Sequence, residues 1–215
     1  MVRLGHAGEA LPFAHAAIER ARQGGNDFML KHALATLADT HLQLGDLTAA
    51  AKAVQAAEAL VRRGPDRGDT ARYVDDVAAR LDLARGETAS ARTRIESALR
   101  AVGYPQREAV NVTDDLLMTA ADVALSEGRA GDAEEYARAA VRATESMARG
   151  PETSADVGES LLRLANALVA QGDYAAALPL LARAERCLSN GLGKQHALTQ
   201  RARTLPGAML AQRST

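Results

Sequence analysis

Aromatic residues make up only 3% of this 215-residue chain, and tryptophan is absent. A core without large rings has to be filled by smaller side chains packed closely. Cys187 is the single cysteine, so no intrachain disulfide forms; that fits a reducing compartment, and a cytoplasmic location is expected. Neither charge sign dominates: 26 Lys and Arg stand against 27 Asp and Glu, for a net charge of −1. No basic stretch is interleaved with aromatics, which argues against a nucleic-acid partner. No run approaches the 18 apolar residues of a membrane span, and the first residues, MVRLGHAGEALPFAHAAIERA, lack the long apolar core of a signal peptide.

The apolar mass, 47% of the chain, is mostly Ala, Leu and Val, with 48 alanines. Alanine is the best helix former, and its small side chain lets helices approach closely, so composition points to an all-α protein. A repeat organises it. Gly5, Gly45, Gly86, Gly128 and Gly172 are spaced 40, 41, 42 and 44 residues apart. Ala10, Ala50, Ala91, Ala133 and Ala177 stand five residues after them; Ala17, Ala57, Ala98, Ala140 and Ala184 stand twelve after. Ala38, Ala79, Ala121 and Ala165 stand seven before the last four glycines. Each glycine is expected to end a helix in a backbone conformation that glycine adopts freely, with an antiparallel helix following. The two alanines after each turn are seven apart and share one face, and the alanine before it faces them from the other helix. Leu34, Leu37, Leu117, Leu161, Leu164, Leu168, Val54, Ile95 and Leu181 fill in around them.

In chain order, residues 1–25 form a half repeat whose helix is Glu9–Arg22. Complete repeats follow at about 28–65, 71–105, 113–150 and 156–193. Their helices are expected over Phe28–Leu44 and Leu47–Arg62, Ala71–Arg85 and Thr88–Val102, Thr113–Glu127 and Ala130–Ala148, and Asp156–Gln171 and Tyr174–Leu188. A capping segment, 197–215, holds a helix that Pro206-Gly207 should end at Leu205. The second repeat is the least regular: Asp75 and Asp82 fall where the others place apolar or small residues, which predicts a register shift or an exposed helix edge. The opening half repeat leaves two readings, a fragment of a longer protein or an array with an unusual start.

The turn Gly172-Asp173-Tyr174-Ala175-Ala176-Ala177, with Ala184 seven further on, resembles the tetratricopeptide repeat. The longer period, the connectors Arg63-Gly64-Pro65-Asp66 and Gly191-Leu192-Gly193-Lys194-Gln195-His196, and the pairs Leu11-Pro12 and Leu178-Pro179 are similar to the kinesin-light-chain type found in bacteria. The likeness covers roughly residues 1–200, strongest in the fourth pair and weakest in the second. It implies a right-handed superhelical array of antiparallel helix pairs, a solenoid whose first helices line a concave groove. It implies protein–protein interaction, with a peptide or helix of a partner in that groove.

If first helices line the groove, the residues six before each turn glycine face it: Asp39, Arg80, Asp122 and Asn166. Three before lie Leu42, Leu83, Leu125 and Val169. Ten before lie Ala35, Asp76, Met118 and Leu162, and thirteen before lie His32, Tyr73, Asp115 and Glu159. The surface expected is an apolar stripe flanked by acids, with Arg80 and Arg163 as exceptions, suited to a ligand carrying Lys or Arg. The competing reading is that the leucine row packs between adjacent pairs and the acids are a solvated face. The family's clamp for a peptide carboxylate uses Lys and Asn; Asp stands in those places here, so that ligand is not expected.

Catalysis finds little support. His6, His15, His32, His41 and His196 show no metal-binding spacing, and no metal or cofactor is expected. His41 reads as a packed histidine and Cys187 as a buried inert thiol without a basic partner. Nucleotide and hydrolase motifs are missing. The expected function is a scaffold rather than an enzyme. The alternative is the repeat region of a larger signalling protein, a kinase or ATPase, docked on its own neighbouring domain. Self-association through the ends of the array is a further possibility.

Overall fold

In the computed structural model, residues 7–63, 68–105 and 114–212 are described. Among them the elements are ten α-helices and one short 3-10 turn, Pro151–Thr153, with no strand. The helices are α1 Ala7–Gln23, α2 Asp27–Gln43, α3 Leu47–Arg63, α4 Asp69–Ala84, α5 Thr88–Ala101, α6 Asp114–Ser126, α7 Ala130–Met147, α8 Ala155–Ala170, α9 Tyr174–Leu192 and α10 Ala197–Gln212. Gly5, the first of the repeat glycines, and Gly64-Pro65-Asp66 of the first connector lie outside the described residues.

The turns work as the glycine spacing predicts. Gly45, Gly86, Gly128 and Gly172 have φ between 73° and 80°. At Gly172 the helix closes with two backbone bonds: Gly172 N–H donates to Val169 O at 3.0 Å and Asp173 N–H to Leu168 O at 2.9 Å. These satisfy carbonyls that the helix end would otherwise orphan. Asp173 then starts the next helix, its carboxylate accepting from Ala176 N–H at 3.0 Å. One Gly-Asp dipeptide thus ends α8 and begins α9. Asp46 repeats this arrangement with Ala49 N–H at 2.9 Å. Gly25-Asn26 uses it between α1 and α2, with Gly25 N–H on Arg22 O, Asn26 N–H on Ala21 O, and the Asn26 side chain capping Met29 N–H.

The chain divides into two compact units, residues 1–98 and 99–215. In the first, α1 packs on α2, α2 on α3, and α4 on both α2 and α3. Its core holds Ala14, Ile18, Leu34, Leu37, Ala38, Val54, Ala57, Val77 and Leu81. In the second, α7 packs on α6, α8 on α6 and α7, α9 on α8, and α10 on α9 and α8. Its core holds Val157, Leu161, Leu164, Ala165, Leu168, Leu181, Ala184, Cys187 and Leu188. The four alanines before the turns and the four after Gly45, Gly86, Gly128 and Gly172 are all 0% exposed. Close approach is tightest between α8 and α9. A Cβ on Gly158 would stand 2.7 Å from Leu188 Cγ, and one on Gly191 would stand 2.8 Å from Ala155 N.

Four expectations need correcting. The second repeat shows no register shift. Gly86 closes α4 with the same bonds as Gly172, to Leu83 O and Asp82 O. Asp82 is buried rather than exposed, because the Ser90 hydroxyl (2.7 Å) and Arg94 Nε (2.8 Å) on α5 donate to its carboxylate. Ala17 is exposed while its counterparts Ala57, Ala98, Ala140 and Ala184 are buried. Helix α1 turns Ala10, Ala14, Ile18 and Ala21 toward the core instead, since α2 is its packing neighbour. Helix α9 extends one turn past Leu188, made possible by Gly191 against the start of α8. Pro206 does not end α10, which continues to Gln212. Proline inside a helix removes one donor and crowds the carbonyl four residues back. Pro12 and Pro179 show the same tolerance inside α1 and α9, on exposed faces where water can satisfy the freed carbonyl.

Candidate functional site

In the first unit the predicted face is built by α2 and α4. Asp39 and Arg80 occupy the same place in successive repeats, 41 residues apart, and the packing of α4 on α2 brings them together. Arg80 Nη2 lies 2.7 Å from Asp39 Oδ1, an ion pair whose angle falls outside hydrogen-bond geometry. Arg80 Nη1 is 3.8 Å from Asp76 Oδ2, one turn back on the same helix. Gln43 Nε2 donates to Asp39 Oδ2 at 3.4 Å. Burial alone would weaken the proton's hold on Arg80, but the charges of Asp39 and Asp76 outweigh it and raise the guanidinium pKa further. Beside this group, the His32 and Tyr73 rings sit 5.2 Å apart at 35°. Burial first, then the Asp39 charge, pushes the Tyr73 hydroxyl up to about 12, so it is a neutral phenol at physiological pH.

The second unit repeats the design with different positions. On α8, Arg163 Nε donates to Asp122 Oδ2 of α6 at 2.9 Å, and Nη1 lies 3.5 Å from Glu159 Oε2. The same Nη1 donates to the Glu159 carbonyl at 3.4 Å and to Met118 Sδ at 3.6 Å. Each unit therefore holds one arginine between a carboxylate of the preceding first helix and a carboxylate one turn back on its own. In both, one arginine lies between two carboxylates.

The predicted site residues divide by burial. Asp39, Asp76, Met118 and Leu162 are buried; Leu42, Arg80, Leu83, Asp122, Leu125, Arg163, Asn166 and Val169 are half-buried. Leu42 packs on the core of the first unit and Val169 on that of the second, while Leu125 packs with Ala124, Ala133 and Ala167. Leu42, Leu125 and Val169 thus serve the packing between helices with part of their surface and are half-exposed over the rest. Asp39 and Asp122 are engaged by arginines rather than standing free.

Sequence reasoning missed a parallel set of links on the second helices. Arg94 of α5 reaches Glu58 of α3 at 2.7 Å as well as Asp82. Arg183 of α9 reaches Glu145 of α7 at 2.5 Å and Glu152 of the 3-10 turn at 2.7 Å. A buried hydroxyl pair, Thr144 and Ser160 at 3.0 Å, joins α7 to α8. The available signal was an acid followed by arginine 36 or 38 residues later, slightly short of one repeat. These groups bind neighbouring elements together and offer no reacting geometry.

Among the described residues, no group of three or more His, Cys, Asp or Glu is placed to hold a metal ion, and no helix is long and apolar enough to cross a membrane. Cys187 is buried, its thiol pointing to Pro151 O at 3.4 Å; burial, aided by the Glu152 charge, raises its pKa. His41 is half-buried on α2.

No protein-family model matches the sequence, and no curated protein matches it. Among solved structures, the crystal structure of BtubC (BKLC) from P. vanneervenii is similar, with a TM-score of 0.70 and 18% identity. The match covers 99% of this chain and 83% of that one. The likeness establishes the fold as an all-α helical-repeat array of the tetratricopeptide type.

Proposed function

We propose that this chain is a protein–protein interaction scaffold that binds a helix or extended peptide along its first helices. The observation that carries the reading is the pairing of half-exposed apolar side chains with an arginine-bridged pair of carboxylates in each unit. Leu42 and Leu83 flank Asp39, Asp76 and Arg80 in one. Leu125 and Val169 flank Asp122, Glu159 and Arg163 in the other. An apolar stripe beside carboxylates suits an amphipathic segment with Lys or Arg along one edge. In the second unit Arg163 holds the half-buried Asp122 in place, so a guest meets a fixed carboxylate there rather than a mobile side chain.

Selection from a display library of random peptides, with the full chain as bait, tests this. Enrichment of Lys or Arg beside apolar residues at helical spacing is expected, with binding that weakens as salt is raised. Enrichment of acidic sequences, or binding that Leu83→Ser with Val169→Ser leaves unchanged, contradicts it.

A further inference from the structure

Gly191 stands in the last turn of α9 because nothing larger fits. A Cβ there would lie 2.8 Å from Ala155 N, 3.0 Å from Ala155 Cβ and 3.1 Å from Ala155 Cα, at the start of α8. The residue before it is Asn190, which is exposed and whose Nδ2 donates to the Glu152 carbonyl at 3.0 Å. Of the four asparagines, Asn26, Asn111, Asn166 and Asn190, the last alone precedes a glycine. The seat of α9 on α8 therefore requires an Asn-Gly pair. In that pair the backbone nitrogen after the asparagine meets the least crowding on its way to the side-chain amide carbon, since glycine has no Cβ.

We propose that Asn190 is a site of spontaneous deamidation, gated by the seating of the last turn of α9 on α8. The backbone nitrogen of Gly191 attacks Asn190 Cγ and gives up its proton. The bond from Cγ to Nδ2 breaks and ammonia leaves. Water then opens the five-membered succinimide at either carbonyl, giving aspartate or isoaspartate at this position, so water is the sole co-reactant. In the seated helix two things block the attack. Helical geometry turns the Gly191 N–H along the axis toward the preceding turn, and the Glu152 carbonyl holds the amide. Opening of the final turn removes both, and helix ends open at far less cost than the whole fold. Gly193 closes this end, with φ 94° and its N–H on Ser189 O at 3.1 Å. The product does not fit the seat. A carboxylate loses the donor to Glu152 and sets negative charge against that carbonyl and the negative end of the α9 dipole. Isoaspartate adds a methylene to the main chain and moves Gly191 out of line with Ala155. The Gly193 carbonyl also accepts the Thr199 hydroxyl at 2.9 Å, so the start of α10 loosens with it. The site lies on a second helix and does not depend on the peptide-binding reading above.

Ageing the full chain at mildly alkaline pH, in buffer and in urea, with peptide mapping by mass spectrometry, tests it. Asn190 is expected to convert in buffer more slowly than in urea, by no more than about a hundredfold, the range that opening of one helical turn imposes. Asn166, followed by alanine, should stay intact over the same period. Gly193→Ala is strained at its positive φ but meets open space. It should bring the rate in buffer toward that in urea and leave the rate in urea unchanged. Ageing should lower the melting temperature of the parent chain and spare that of Asn190→Ala. A rate in buffer equal to that in urea, or more than about a hundredfold below it, would overturn the proposal. So would indifference to Gly193→Ala, or an equal loss of melting temperature in Asn190→Ala.

Discussion

Gly158 sits in α8 where α9 passes closest, and replacing it with alanine isolates the cost of that approach. The new Cβ would stand 2.7 Å from Leu188 Cγ, 3.0 Å from Leu188 N and 3.1 Å from Cys187 Cβ. Leu188 Cγ lies near its own backbone, and the backbone N cannot move without shifting α9. Overpacking of this kind costs about 1–3 kcal/mol. Alanine in place of glycine inside a helix returns about 1 kcal/mol through propensity. The net loss is therefore about 0–2 kcal/mol, small enough to be masked in a single comparison. Gly131→Ala in α7 supplies the reference: Gly131 is exposed and a Cβ there meets nothing within 4 Å. It gains a similar propensity term without the clash. The difference between the two variants then reads the packing term alone, about 1–3 kcal/mol, or at least about 2 °C in melting temperature for a chain of this size. Thermal and urea unfolding followed by far-ultraviolet circular dichroism measures it. If Gly158→Ala melts at or above Gly131→Ala, the close packing of α8 on α9 described above is wrong.

Two further outcomes follow from the charge groups. Arg80→Met leaves Asp39 and Asp76 without their shared cation. Loss of one partner from a fully buried pair costs about 3–5 kcal/mol, but Arg80 is 36% exposed, so about 1–3 kcal/mol is expected in urea unfolding, partly recovered when Asp39→Asn is added. Full additivity of the two changes would contradict the ion pair. Glu134 has its pKa held below the ordinary 4.5 by its bond from Gln171 and then by Arg138. A carboxylate with a lowered folded-state pKa stabilises the fold above its ordinary value and loses that contribution as pH falls through the lowered one. Glu134→Gln should therefore flatten the fall in melting temperature below about pH 4.5 and change its pH dependence little above it. An unchanged acid limb would show that these bonds do not form in solution.

Much of the architecture could be read from spacing because each turn is a local event. Gly45, Gly86, Gly128 and Gly172 need their positive φ whatever lies elsewhere, and an alanine flanked by helical periodicity is buried wherever a partner helix follows. Ala17 broke the pattern because burial depends on a neighbour, and α1 packs on α2 with a different face. Asp82 misled for a related reason. An acid at an apolar position reads as an edge until Ser90 and Arg94 are seen to close on it, and that takes the geometry of the next helix. The candidate face shows the same division. The rows of Asp39 and Leu42 followed from helical period, but the engagement of Asp39 by Arg80 and of Asp122 by Arg163 joins residues 41 apart. Position along one helix cannot show which repeat an arginine reaches. Pro206 was read by its local cost, which the extension of α10 to Gln212 overrides.

The central claim, that the first helices form the binding face, is tested most directly by titrating the full chain into a labelled basic amphipathic peptide and reading fluorescence anisotropy. Leu83→Ser with Val169→Ser removes half-exposed apolar contacts from that face. Ala56→Asp with Ala182→Asp alters exposed positions on second helices α3 and α9. The first pair should weaken binding at least about tenfold, since each half-buried side chain contributes about 1 kcal/mol, and the second pair should leave it unchanged. Loss of binding in the second pair with retention in the first would contradict the account.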